Sequence, residues 1–163
     1  MIIISGGQTG ADQAGLYAAY DNNIRTGGYA PAKYMTLTGT NYILRNKFSL
    51  VEIKGGYKRR TYLNVENSDC TIRFAYDFNS RGELCTYRAI KKYNRPYFDV
   101  SLCYPITDKL IEEIGNWIIN NGYETINIAG NAQTNERDVY TPVYDAVYRL
   151  IEYVESKKRG GIK

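Results

Sequence analysis

The stretch IIISGGQTGADQAG, residues 2–15, runs from three consecutive isoleucines into a glycine-rich turn and then into small residues at helical spacing. A short apolar run ending in Ser5-Gly6-Gly7 predicts a buried parallel strand entering a turn. Ala11, Ala14, Gly15, Ala18 and Ala19 predict a helix whose small side chains let it lie close to a sheet. Such a unit offers an anion both backbone amides and the partial positive charge of a helix N-terminus. Gly6, Gly7 and Gly10 make the turn, and Gln8 and Thr9 add side-chain donors. The string has neither the lysine of a Walker A loop nor the spacing of the dinucleotide fingerprint. Glycine content alone therefore leaves a tight structural turn equally open.

Toward the C-terminus, residues 71–76, 97–102 and 125–129 read as further strands. Helices are predicted over residues 82–93, ended by Asn94 and Pro96, and over a segment holding Leu110, Ile111, Ile114, Trp117 and Ile118. Thr107 is the expected N-cap of the latter and Gly122 lies past its end. A last helix is expected with Thr141 as N-cap and Pro142 at its first position. Residues 30–64 lack helical periodicity and contain Gly39, Gly55 and Gly56, which predicts an irregular insertion with short strands around residues 48–53. Alternating strands and helices imply an α/β fold: a Rossmann-like, mostly parallel sheet with helices on both faces and ligands bound beyond the strand C-terminal ends.

The length of 163 residues suits one domain; we assign residues 1–156 to it and 157–163, with Lys157, Lys158, Arg159 and Lys163, to a basic disordered tail. No apolar run approaches the roughly 18 residues of a membrane span, so no membrane partner is expected. Met1 is followed directly by Ile2, Ile3 and Ile4 without the flank of a secretory signal, which points to the cytoplasm. Cys70, Cys85 and Cys103 form no CxxC pair and fit neither a disulfide framework nor a zinc site. The chain has no histidine, which removes Ser-His-Asp and Cys-His catalysis and His-bound metals, and no metal or cofactor is expected. The net charge of +4 lies partly in the tail, and without a basic stripe or aromatic platform motif a nucleic-acid partner is not expected.

Ile3 to Leu16 reproduce the pattern IxSGGQTGADxAGL, and Gly27-Gly28-Tyr29-Ala30-Pro31 echoes a GGW(C)P-like element. Phe48-Ser49-Leu50-Val51-Glu52, then Tyr57, Arg60-Thr61, Asn64-Val65 and Ser68-Asp69, match YxLxE and YxxRTxxNVxxSD. With these motifs the chain resembles the molybdenum carrier family, a branch of the Rossmann-like SLOG superfamily that also includes the cytokinin-activating LOG enzymes. Ser80 to Thr86 echo the family's serine and glycine-rich loop, and Ile126 to Asn131 its LNVAGPR strand-turn, so the resemblance covers nearly the whole chain. It implies a Rossmann-like sheet, a pocket at the strand ends and homo-oligomers.

The resemblance raises Arg60, with Thr61 and Asn64, above the surface pair Lys58 and Arg59, and a guanidinium fork beside a hydroxyl suits a phosphate. Asp12 and Glu52 are candidates to accept ribose hydroxyls or an exocyclic amine, with Asp12 equally suited to the helix dipole. Tyr29 is a candidate to stack on a base, although the chain has 17 tyrosines. Ser80, Gly82 and Thr86 form a candidate second phosphate cradle, in which Ser80 would equally serve as a plain cap. Gly130 and Asn131 complete the expected contacts. Two departures stand out: Arg88 occupies the place of the family's acid, and Asn131-Ala132 replaces a Pro-Arg pair, so that one positive contact is either missing or supplied by Arg137.

These features lead us to expect a protein that senses or sequesters a phosphate-bearing, nucleotide-like small molecule, such as an ADP-ribose or cyclic nucleotide immune signal, without turnover. A viral sponge for such signals is one use of a standalone binder. Two alternatives stand beside it: a nucleotide N-glycosidase or phosphoribohydrolase of LOG type, acting through Glu83, Glu52 or Asp12, and a carrier of the molybdenum cofactor.

Overall fold

A computed structural model describes residues 1–160 of the chain. Along the sequence lie β1 (Ile2–Ile4), α1 (Ala11–Asp21), β2 (Arg25–Gly27), β3 (Tyr29–Pro31), β4 (Met35–Thr36), β5 (Gly39–Thr40), a single helical turn α2 (Ile43–Asn46) and β6 (Val51–Ile53). There follow α3 (Gly56–Glu66), β7 (Cys70–Ala75), α4 (Arg81–Tyr93), β8 (Tyr97–Ser101), α5 (Asp108–Asn121), β9 (Thr125–Gly130) and α6 (Tyr140–Gly160). The central sheet has five strands in the order β2-β1-β9-β7-β8, all parallel. Counting β9 as strand 1 and then β1, β2, β7 and β8, the order becomes 3-2-1-4-5, that of a doubly wound sheet with its first strand moved to the end of the chain. The α/β, Rossmann-like expectation with helices on both faces is what the structure has.

The two faces of the sheet differ in chemistry because strand side chains alternate. Ile3, Ile72, Phe74, Ile126 and Ile128 point to one side and form the main core with α1, α5 and α6. The approach of α1 is close: a Cβ at Gly15 would lie 2.7 Å from Ile128 Cγ2, so the small residues of this helix are a packing requirement. The other face carries buried Thr71, Arg73 and Asn127, and α3 and α4 cover it with a minor cluster of Val65, Ala89 and Ile90. The 29–53 region packs Ala30, Tyr34, Leu44, Phe48 and Leu50 onto Leu16 of α1.

Three expectations need correction. The insertion predicted as irregular with short strands around residues 48–53 does hold β6 there, but it also holds a three-turn helix, α3, whose buried residues are Asn64 and Val65, so it has no apolar stripe to betray it. A polar clamp holds it instead: Asn64 Nδ2 donates to Tyr29 O at 3.0 Å, and Asn64 Oδ1 accepts from Tyr29 N at 2.9 Å. The last helix begins at Tyr140, and Asp138 rather than Thr141 acts at its start, accepting from Thr141 N at 3.1 Å. That helix continues through Gly160, so Lys157, Lys158 and Arg159 of the expected tail are helical, with their charge at the negative end of the dipole. Residues 161–163 lie outside the described residues. Among the described residues no helix is long and apolar enough to cross a membrane.

Because two backbone groups of β3 depend on one amide, Asn64→Ala should lower the unfolding free energy by about 2–4 kcal/mol in urea titration. A change below about 0.5 kcal/mol would mean that α3 is held by other contacts.

Candidate functional site

A cleft of about 890 Å³ opens where β1, β9 and β7 end, at the point where the strand order reverses. The first glycine turn forms one wall, but its amides are turned inward. Ser5 Oγ accepts from Gly7 N at 3.2 Å, Asp12 Oδ2 from Gln8 N at 3.1 Å, and Gln8 Oε1 from Thr9 N at 2.9 Å. Ala11 N donates to Asn131 O at 3.1 Å. The expected anion cradle at Gly7, Gln8 and Thr9 is thus filled by the turn's own side-chain oxygens, as happens when Ser, Asp and Gln compete for local amides. Gln8 Oε1 also accepts from Leu37 N at 2.9 Å, tying the β4–β5 hairpin to the turn.

Arg60 reaches this turn from α3, and its Nη1 lies 2.8 Å from Asp12 Oδ2. Gly6 makes room for it: a Cβ there would fall 1.5 Å from Arg60 Nη1. The guanidinium expected to bind phosphate is therefore already paired with a buried carboxylate. Burial pushes the Asp12 carboxyl above its ordinary value, and the Arg60 charge only partly opposes the shift.

The opposite wall is the start of α4. Ser80 is its N-cap, with Oγ 3.5 Å from Glu83 N, and the Arg81 and Gly82 amides have no partner among the described residues. A Cβ at Gly82 would meet open space. Ser80, Gly82 and Thr86 do share the cleft with Gly6, Gln8, Asp12, Arg60, Thr61, Asn64, Gly130 and Asn131. Gly7, Thr9, Gly10, Tyr29 and Glu52 do not line it; Tyr29 presents its backbone to Asn64, and exposed Glu52 accepts from Lys33 N at 2.6 Å. Asn131 is a staple between turns: its Oδ1 accepts from Tyr76 N at 2.8 Å and from Asp77 N at 3.2 Å. Arg137 lines the same side, with its guanidinium 5.2 Å from the Tyr76 ring.

Arg88 is exposed and outside the cleft, whereas Glu83, earlier on the same helix, is 2% exposed and inside it. Its Oε2 has no hydrogen-bond partner among the described residues and lies 3.8 Å from Arg73 Nη1. Arg73 is held by Asp99 through Nε at 2.8 Å and Nη2 at 2.6 Å, donates to Glu83 O at 3.1 Å, and lies beside the rings of Phe78, Tyr87 and Tyr97. Sequence reading missed Arg73 and Asp99. The available signal was one charge inside each of two neighbouring strand runs, which the parallel register sets side by side.

Burial raises the Glu83 carboxyl from 4.5 to about 7, with Arg73 opposing and Asp12 reinforcing the shift. Between these values the folded protein keeps a proton that the unfolded chain releases. The resulting stabilisation is fully present below pH 4.5 and disappears as pH rises through 7. Thermal and urea unfolding should therefore show wild type losing on the order of 3 kcal/mol relative to Glu83→Gln between pH 4 and pH 8. A constant difference would mean that Glu83 titrates normally.

Residues 3–151 match the model of the circularly permutated YpsA SLOG family. The chain is also similar to the crystal structure of a protein from Syntrophus aciditrophicus SB described as a putative molybdenum carrier protein, with 28% identity and a TM-score of 0.74 over 94% of this chain and 93% of that one. No curated protein matches the chain significantly.

Proposed function

The chain belongs to the circularly permutated YpsA SLOG family, and from that premise we propose that it binds a phosphate-bearing, nucleotide-like small molecule in the cleft and holds it without turnover. The observation that carries this proposal is the start of α4, where the Arg81 and Gly82 amides are unspent at the edge of a cleft of about 890 Å³. A helix N-terminus with free amides attracts an anion through both hydrogen bonds and its dipole. Arg81, Lys58 and Arg137 add positive charge around the same opening. Leu37, 67% exposed, and Tyr57, 44% exposed, supply apolar surface at the rim suited to the face of a base. Retention rather than cleavage is supported by the exposed Arg88 standing where related enzymes carry an acid. Sensing and sequestration both follow from such binding. The phosphate of a molybdenum cofactor would use the same helix end, in keeping with the description of the structural neighbour.

A second reading, hydrolysis of an N-glycosidic bond, is favoured by Glu83, whose carboxyl near pH 7 is suited to protonating a leaving base. The two readings separate by incubating the protein with AMP, ADP-ribose and cyclic ADP-ribose, then chromatographing the ligand before and after denaturation. Intact ligand is expected; free base or ribose phosphate that disappears in Glu83→Gln would establish cleavage.

Gly82→Asp puts a carboxylate into open space at the free amides. Ligand affinity should fall about tenfold or more through like-charge repulsion, while the melting temperature holds or rises because an acid suits a helix N-terminus. Unchanged affinity would exclude this helix end as the anion site.

A further inference from the structure

Gln8 stands half-buried on the cleft wall made by the first glycine turn, and its carboxamide is fixed by two backbone amides. Its Oε1 accepts from Thr9 N at 2.9 Å and from Leu37 N at 2.9 Å. Both partners can only donate, so the atom they meet is the oxygen and the other end of the group is the NH2. Nε2 makes no hydrogen bond among the described residues, and it is not among the unpartnered side-chain atoms that are buried from solvent. The turn therefore holds a donor with a set direction, open to the cleft. We propose that Gln8 Nε2 donates to an acceptor on the base of the ligand, a carbonyl oxygen or an unprotonated ring nitrogen, and so reads the base edge. This rests on the nucleotide-like ligand proposed for the cleft.

The surroundings favour a neutral ring over the other parts of such a ligand. The carboxamide that holds Leu37 N brings its donor beside the Leu37 side chain, which is 67% exposed and lines the cleft. An apolar surface with a hydrogen-bond donor at its edge suits a planar ring, which buries a face on the one and turns an edge to the other. A phosphate at the same place would face Asp12, whose Oδ2 accepts from Gln8 N at 3.1 Å. The nearby Arg60 is already engaged with that carboxylate at 2.8 Å, whereas the start of α4 keeps free amides for the anion. A sugar hydroxyl could accept from the donor but gains nothing from the apolar rim. An exocyclic amine finds no acceptor here, because both lone pairs of Oε1 are spent.

Both sides of this contact are held by the protein. Thr36 Oγ1 donates to Gly39 O at 2.8 Å and accepts from Thr38 N at 3.2 Å, closing the tip of the β4–β5 hairpin around Leu37. Gln8 is anchored through its backbone amide to Asp12 and through its side-chain oxygen to Thr9 and Leu37, so only the NH2 is left for a partner. A donor held in this way loses little freedom on meeting an acceptor, and one such contact discriminates between ligands that have an acceptor there and ligands that lack one.

The informative variant is Gln8→Glu: a carboxylate of the same shape still accepts from Thr9 N and Leu37 N but puts a second acceptor where the donor was. Calorimetric titration of the full chain compares AMP, GMP, CMP and UMP with ribose 5-phosphate, which has the same sugar and phosphate and no base. In wild type the best nucleotide should bind at least about fivefold tighter than ribose 5-phosphate, the scale of one net hydrogen bond. In Gln8→Glu that ratio should shrink at least about fivefold, since the added charge acts on the phosphate of both compounds and cancels from the ratio. In NMR spectra of isotope-labelled wild type the Gln8 side-chain NH2 signals should move with the best nucleotide and stay in place with ribose 5-phosphate, a readout that does not need the variant to fold. Equal binding of nucleotides and ribose 5-phosphate, or unmoved Gln8 signals, overturns the base contact and leaves the anion site standing. A ratio that survives in Gln8→Glu with an unchanged melting temperature removes Gln8 from recognition. Failure of every one of these compounds to bind overturns the base contact together with the anion site.

Discussion

Asp12 meets Arg60 at 2.8 Å above the bare backbone of Gly6, and this buried pair joins the first glycine turn to α3. It is supported by the clamp of Asn64 on Tyr29, since α3 has little apolar surface with which to hold itself to the sheet. Together the two polar contacts build one wall of the cleft. Removing one partner of such a buried ion pair leaves the other charge unpaired, which is far more damaging than the modest net worth of the intact pair. Cleft shape is therefore coupled to the charge state of a few residues.

The sheet divides these tasks between its faces. On one side isoleucines and small helix residues make a dry core, with Gly15 letting α1 settle against Ile128. On the other, Thr71, Arg73 and Asn127 are buried but hydrogen-bonded, and Asp99 and three aromatic rings enclose the Arg73 guanidinium. The apolar face stabilises the domain through burial, while the polar face places ionisable groups where removal from water shifts their titration.

The starts of α1 and α4, both at the cleft, differ in how their amides are used. At α1, side chains of Ser5, Gln8 and Asp12 have already answered the amides. At α4, Arg81 and Gly82 keep theirs, and only a long Ser80 bond caps the first turn. Among the described residues, the less conspicuous of the two glycine-bearing turns is thus the one whose first amides are left free, with Glu83 next in the helix.

The Rossmann-like sheet was legible in the sequence because apolar runs of strand length and small residues at helical spacing are local patterns that burial enforces. Thr107 and Gly122 likewise marked the ends of α5, since capping depends on neighbouring residues alone. Gly6, Ser80 and Gly82, singled out by their glycine-rich turns, and Arg60, singled out by the family resemblance, all line the cleft. The helix at residues 56–66 escaped notice because a clamp from Asn64 to a strand 35 residues away leaves no periodic trace. Which amides remain free, why Arg60 faces Asp12, and why Glu83 holds its proton near neutrality were decided only by tertiary structure. These properties depend on distances between groups remote in sequence and on their removal from water, neither of which is encoded in any one segment.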